Sequence, residues 1–223
     1  MNTKSVIDFL EQLANNNNRE WFSENKDLYA AARNEVLGFL GKLVQKLVQI
    51  DSSIQGFTDP SQALFRIYRD VRFSKNKAPY KTHFGAFFAK GGRTSMYPGY
   101  YIHFEPENTL ISGGTWCPDP PLLKKIRQEI YYNGEALVKI LEKPKFKKLF
   151  PGLDDQEKLK RIPAGYPSDF EYEDFLKYKH YTVSAFIPEN ILFSDKLESY
   201  ILDVFETLQP FNAFFQTIID EEA

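Results

Sequence analysis

At 223 residues, with 43% hydrophobic and 16% aromatic side chains, the chain is long enough to bury roughly 70% of its unfolded surface, so a large aromatic core is predicted that needs no disulfide or metal staple. The single cysteine, Cys117, excludes an internal disulfide, and Met1 to Lys4 lack a charged-then-apolar leader, which predicts a cytoplasmic protein. Apolar runs fall short of the roughly 18 residues of a membrane helix, so no membrane partner is expected, and a net charge of −2 argues against a general polyanion binder if that charge is evenly spread.

Ser5 precedes Val6, Phe9, Leu10 and Leu13 at helical spacing and is the expected N-cap of a first helix running to about Asn15. The tract Asn15 to Asn18 breaks it. Phe22, Leu28, Ala32, Val36, Leu40, Leu43 and Leu47 then predict one long helix from about Arg19 to Ile50, weakened in its middle by Gly38 and Gly41. After the turn-rich stretch Asp51 to Ser61 the pattern changes to alternation and Gly-separated aromatic runs. Expected strands are Ala63 to Tyr68, Phe84 to Ala89, Gly99 to Glu105 and Thr109 to Thr115, the last two joined by a short hairpin at Pro106 to Asn108, with one more strand at Tyr181 to Ile187. Leu122 to Tyr132 and Glu135 to Leu141 predict helices and Pro163 to Asp169 a loop. Asp195 to Leu208 and Pro210 to Ile219 predict two closing helices, with Pro210 at an N1 position. This order is α+β: N-terminal helices, a central and mainly antiparallel sheet, and C-terminal helices packing on it, in one domain spanning residues 1–223.

Charge is not evenly spread. From Arg66 to Arg93 there are eight Lys and Arg residues against Asp70 alone, a local net of +7 on a remainder of −9. A basic feature on an acidic body suits a discrete anionic ligand better than unspecific coating of nucleic acid. Arg66, Arg69 and Arg72 recur at every third residue, so a regular strand cannot make all three converge. A bulge or turn near Asp70 is therefore expected, with Asp70 accepting bidentate hydrogen bonds that fix the arginine forks. Guanidinium groups suit phosphate or carboxylate, and Lys77 and Lys81 add point charge. The same residues also fit a structural ion-pair network over a loop, and the sequence leaves both possibilities open.

Here the chain resembles the bacterial and fungal proteins of domain of unknown function family 2461. That family's hallmark is Arg-x-x-Arg-Asp-x-Arg-Phe followed by Asp or Asn, Lys and Tyr, matched by Arg66, Arg69, Asp70, Arg72, Phe73, Asn76, Lys77 and Tyr80. Asn18 to Phe22, Gly99 to His103, Gly113 to Trp116 and Leu159 to Pro163 are similar to its other blocks, so the resemblance covers nearly the whole chain. It implies a single domain and a site at Arg66 to Lys81, and it implies no particular reaction.

Beside this segment, Tyr101 and His103 share one face of their strand, while Ser112 to Trp116 offers glycines for close backbone approach and an indole on which a base or sugar can stack. Tyr80 and Trp116 are further packing or stacking groups. A strand histidine is more often structural than an acid or base, which applies to His83 and His103. His83, His103, His180 and Cys117 have no zinc spacing, so no metal is expected at them. Gly-x-Ser-x-Gly, Gly-x-Gly-x-x-Gly, P-loop and EF-hand patterns are absent from the sequence, which names no cofactor. Asp70, Glu105 and Glu107, with Lys77 or Lys81, are the only carboxylate set suited to a metal-dependent nuclease, and Glu105 and Glu107 share a face only if the strand survives Pro106. Three functions follow: binding of a phosphate-containing small molecule, nucleotide or nucleic acid; a phosphoester hydrolase holding Mg²⁺ through Asp70 or Glu105; or an interaction module whose Arg/Asp network is structural.

Overall fold

The computed structural model describes residues 1–57 and 59–221. Helix α1 (Thr3–Asn15) is capped by Asn2 and not by Ser5: the Asn2 side chain accepts the Ser5 N–H at 3.2 Å, which makes Ser5 the third helical residue. The expected long helix divides into α2 (Arg19–Glu24) and α3 (Lys26–Ile50). Asn25 separates them, its Nδ2 donating to the Trp21 carbonyl at 2.8 Å in competition with the helical ladder.

Four antiparallel strands follow: β1 (Phe84–Ala89), β2 (Gly99–Phe104), β3 (Leu110–Thr115) and β4 (Tyr181–Phe186), neighbours in that order. Between β3 and β4 come α4 (Pro120–Leu141), α5 (Pro144–Leu149) and α6 (Glu173–Leu176), and after β4 come α7 (Glu189–Leu192) and α8 (Leu197–Asp220). The two helices expected between Leu122 and Leu141 merge into α4, which kinks at Asn133. Pro210 lies inside α8 instead of starting a new helix. An interior proline costs about 3 kcal/mol. Leu208, Phe211 and Phe215 around it are fully buried, each contributing roughly 1.5–3 kcal/mol, so packing carries the helix through.

Period-two alternation gives the sheet two unlike faces. Phe84, Phe88, Tyr100, Ile102, Phe104, Ile111, Tyr181 and Val183 are buried and join α1, α3 and α8 in one contiguous apolar cluster. The architecture is thus α+β, with N-terminal helices and α8 packing on an antiparallel sheet. The other face carries Phe87, Tyr101, His103, Ser112 and Ser184, all half-buried, and the exposed Phe186. Among the described residues no helix is long and apolar enough to cross a membrane.

Ala63 to Tyr68 is not the regular strand expected. It makes two isolated bridges, Leu64 with Ala86 and Tyr68 with Tyr80. The Phe65 N–H donates to the Gly85 carbonyl at 2.8 Å, whereas two residues later the Ile67 carbonyl accepts from the Lys81 N–H at 2.8 Å. The segment therefore changes partner between Phe65 and Ile67, and Arg66 stands at the change. Pro79, which has no N–H to give, lies in the second pairing at its outer margin, accepting from the Arg69 N–H at 2.9 Å.

Candidate anion site on the open sheet face

Beyond the Tyr68–Tyr80 bridge the chain loops out, and its own side chains hold the loop. Arg69 donates to the Ala78 carbonyl at 3.1 Å and to the Ser74 hydroxyl at 3.4 Å, and Lys77 Nζ donates to the Val71 carbonyl at 3.0 Å. Arg72 makes the expected fork to Asp70, Nε to Oδ1 at 2.9 Å and Nη2 to Oδ2 at 2.6 Å. That hydrogen-bonded guanidinium holds the Asp70 carboxyl below its ordinary range, with a smaller contribution from Arg66. The fork is exposed, with 76% of the Arg72 side chain in solvent. Arg69 and Arg72 thus serve the loop, while the exposed Arg66 lies within charge reach of both Asp70 and Lys81.

Tyr80 is a packing residue. Its ring lies 4.0 Å from that of Phe22, nearly parallel, and only 5% of the residue is exposed. Asn17 grips its backbone from the α1–α2 connection, Nδ2 donating to the Tyr80 carbonyl at 3.0 Å and Oδ1 accepting the Tyr80 N–H at 3.1 Å. Asn17→Ala removes both bonds from a half-buried position and is expected to cost about 1–3 kcal/mol, read as a lower urea midpoint at unchanged m-value. An unmoved midpoint would show that solvent replaces the grip without loss.

On the open sheet face a different set assembles. Lys81 Nζ and the Arg93 guanidinium each lie 5.2 Å from the centre of the Phe65 ring. Arg93 also donates to the Leu64 carbonyl. Burial, and then the charges of Arg66 and Arg93, push the Lys81 ammonium below its ordinary value. Among the described residues none of these three cations pairs with a carboxylate at contact distance. Phe65 in turn meets the Tyr101 ring edge-on at 6.4 Å.

Tyr101 begins a chain of contacts along β2. Its hydroxyl is 2.8 Å from His103 Nδ1, and His103 Nε2 is 3.1 Å from Glu105 Oε2. Glu105 also accepts from Thr82 Oγ1 at 3.0 Å and from Asn108 Nδ2 at 2.8 Å. Burial works to raise the Glu105 carboxyl, but the hydrogen bonds from Asn108, His103 and Thr82 together outweigh it and hold the carboxyl low. The His83 ring lies against His103, 4.2 Å between centres and tilted by 32°, and burial, then His103, push His83 down to about 4. Burial, then Glu105, push the Tyr101 phenol up to about 12, so it remains a hydroxyl at neutral pH. Room for the Tyr101 ring comes from Gly85: a Cβ there would lie 2.5 Å from the Tyr101 oxygen.

Register explains what spacing missed. Gly85 pairs with His103 and Phe84 with Phe104, so His83 falls opposite Glu105 on the face shared by 83, 85, 103 and 105. Histidines that look scattered in the sequence therefore meet. Phe65, His83, Arg93 and Glu105 belong with Tyr101, His103, Lys81 and Arg66; Arg93 ends the basic run, Glu105 stood in the expected carboxylate set and His83 among the strand histidines, whereas Phe65 had no sequence signal.

Other expected members lie apart. Trp116 stacks on His180 at 4.4 Å and is 56% exposed. It follows β3, whose C-terminal end pairs with β4, so three strand spacings, roughly 14 Å, separate it from the Phe65 edge. Gly113 and Gly114 do permit close approach, but of α8 and β4: a Cβ on Gly113 would lie 2.8 Å from Leu208, and one on Gly114 would run into the Tyr181 carbonyl. β2 ends at Phe104, and Glu107 stands in the following turn with φ 59°, so Glu105 and Glu107 do not share a strand face.

No curated protein and no solved structure matches the chain. A family model does, over residues 5–214, which spans the loop, the open sheet face and all four strands. The chain therefore belongs to the family described as conserved hypothetical protein DUF2461.

Proposed function

We propose that the chain binds a phosphate-bearing ligand, a nucleotide or a nucleic-acid phosphate, on the open sheet face beside Phe65. One observation carries this: Lys81 and Arg93 flank the Phe65 ring, Arg66 is within charge reach of Lys81, and no carboxylate at contact distance neutralises them among the described residues. Like charges gathered without a counter-charge repel, and a bound anion relieves that repulsion. The proposal shifts the centre of recognition from Arg69, Arg72 and Lys77 toward Arg66, Lys81 and Arg93, with the Phe65 and Tyr101 ring edges available to the organic part of the ligand.

The test is calorimetric titration of the chelator-treated chain at low salt with inorganic phosphate, pyrophosphate and nucleoside monophosphates. Arg66→Ala/Lys81→Ala is expected to weaken binding at least tenfold, whereas Arg72→Ala, whose fork is engaged by Asp70, leaves it nearly unchanged. Equal affinity in all three proteins, or no binding of any phosphate compound by wild type, rejects the site.

A metal-dependent phosphoester hydrolase built on carboxylates has less support, since Asp70 is engaged by Arg72 and Glu107 stands apart in its turn. Mg²⁺-dependent phosphate release from the same ligands is the result that would favour it. The structural-network alternative suits Arg69, Asp70, Arg72 and Lys77 in the loop, and it does not account for Lys81 and Arg93 at Phe65, which touch no carboxylate among the described residues.

A further inference from the structure

We propose that His83, His103 and Glu105 form a binding site for one divalent transition-metal ion beside Phe65. Each residue offers one ligand atom, and these atoms all lie within 4.8 Å of one another. Ligands bound at about 2.1 Å and at angles of 90–110° are roughly 3.0–3.4 Å apart, and His103 Nε2 and Glu105 Oε2 are already 3.1 Å apart. The other separations are at most 4.8 Å, so side-chain shifts of roughly 1.5 Å bring the three atoms to ligand spacing, and no hydrogen bond to the His83 ring nitrogens is found among the described residues.

The surroundings are those of oriented ligands. His103 has its second nitrogen, Nδ1, 2.8 Å from the Tyr101 hydroxyl, which fixes the ring and leaves Nε2 directed at Glu105. Glu105 accepts from Thr82 through Oε1 at 3.0 Å and from Asn108 through Oε2 at 2.8 Å, which together hold Oε2 beside the histidine. Two imidazoles and one carboxylate favour zinc, cobalt, nickel, iron or manganese over magnesium or calcium, which take oxygen ligands. Three protein ligands leave at least one coordination position for solvent or an incoming group. The nearby Lys81 opposes a second positive charge, and Glu105 offsets it. The inference is independent of the anion proposal: it uses none of the three cations, and phosphate binding is tested with metal removed.

The experiment is titration of the chelator-treated full chain with Co²⁺, followed by its visible d–d absorption, with Zn²⁺ then added to displace the cobalt. The expected result is one equivalent per chain with the intense spectrum of four- or five-coordinate cobalt, bleached by zinc. His83→Asn and Glu105→Gln, each verified as folded by circular dichroism, are expected to bind at least tenfold more weakly, while Arg66→Ala keeps the wild-type spectrum. A wild-type spectrum indistinguishable from aqueous Co²⁺ overturns the site. So does the same affinity and spectrum in wild type, His83→Asn and Glu105→Gln, which would reduce the His103–Glu105 contact to a hydrogen bond.

Discussion

Gly114→Ala is expected to destabilise the chain by about 3–5 kcal/mol, the sum of backbone strain and overpacking at one position. Gly114 has φ 110°, a conformation that residues with a Cβ rarely adopt. A methyl group there would also collide with the Tyr181 carbonyl oxygen on the adjacent strand and lie 2.9 Å from a Phe211 ring carbon in α8. Neither neighbour can yield cheaply: Tyr181 is paired within the sheet, and Phe211 is fully buried. For a chain of this size each kcal/mol moves Tm by roughly 2–4 °C, so a drop of about 6–20 °C is the expected calorimetric result. Gly38→Ala is the matched control, because nothing lies within 4 Å of a Cβ on Gly38 in α3, and helix propensity alone predicts a gain of up to about 1 kcal/mol. If the two variants melt together, the close approach at β3 is not what requires the glycine.

The contrast between these glycines shows where a sequence is informative. The pair Gly113 and Gly114 announces that something comes close, but what comes close is α8 and β4, elements far along the chain, so a ligand was as good a candidate as Leu208 or Tyr181. The four strands of the sheet were legible almost to their ends because apolar alternation and glycine-separated aromatics are local signals, whereas Ala63 to Tyr68, expected as a fifth, makes only two isolated bridges. Helix ends were less legible. Pro210 reads as a helix start and is overridden by the burial of Leu208, Phe211 and Phe215, whereas Asn25, inside the expected long helix, is a stop because its side chain captures the Trp21 carbonyl. The basic segment was legible as charge, and the Asp70–Arg72 fork as geometry. Which way each arginine faces depends on the change of partner at Arg66, a tertiary event without a local signature. The meeting of His83, His103 and Glu105 depends on register across the β1–β2 hairpin, since a shift of one residue would send His83 to the core side.

Gly85→Ala is expected to cost about 3 kcal/mol, the upper end of ordinary overpacking, and to act through one side chain. The added Cβ would lie 2.5 Å from the Tyr101 oxygen and 3.1 Å from two of its ring carbons, so the ring must swing away. Its hydroxyl then loses His103 Nδ1, and its ring loses the edge of Phe65. Because this happens on the open face, the buried packing of Phe84 and Ala86 on either side is left in place, and the damage should be confined to the site. A double-mutant cycle with Tyr101→Ala separates the causes. If room for the ring is what Gly85 provides, Gly85→Ala in the Tyr101→Ala background is nearly neutral, and the coupling energy recovers most of the 3 kcal/mol. An equal cost in both backgrounds would assign the glycine to the backbone of β1, and the position of Tyr101 over the strand would then be a consequence of the sheet's pleat alone.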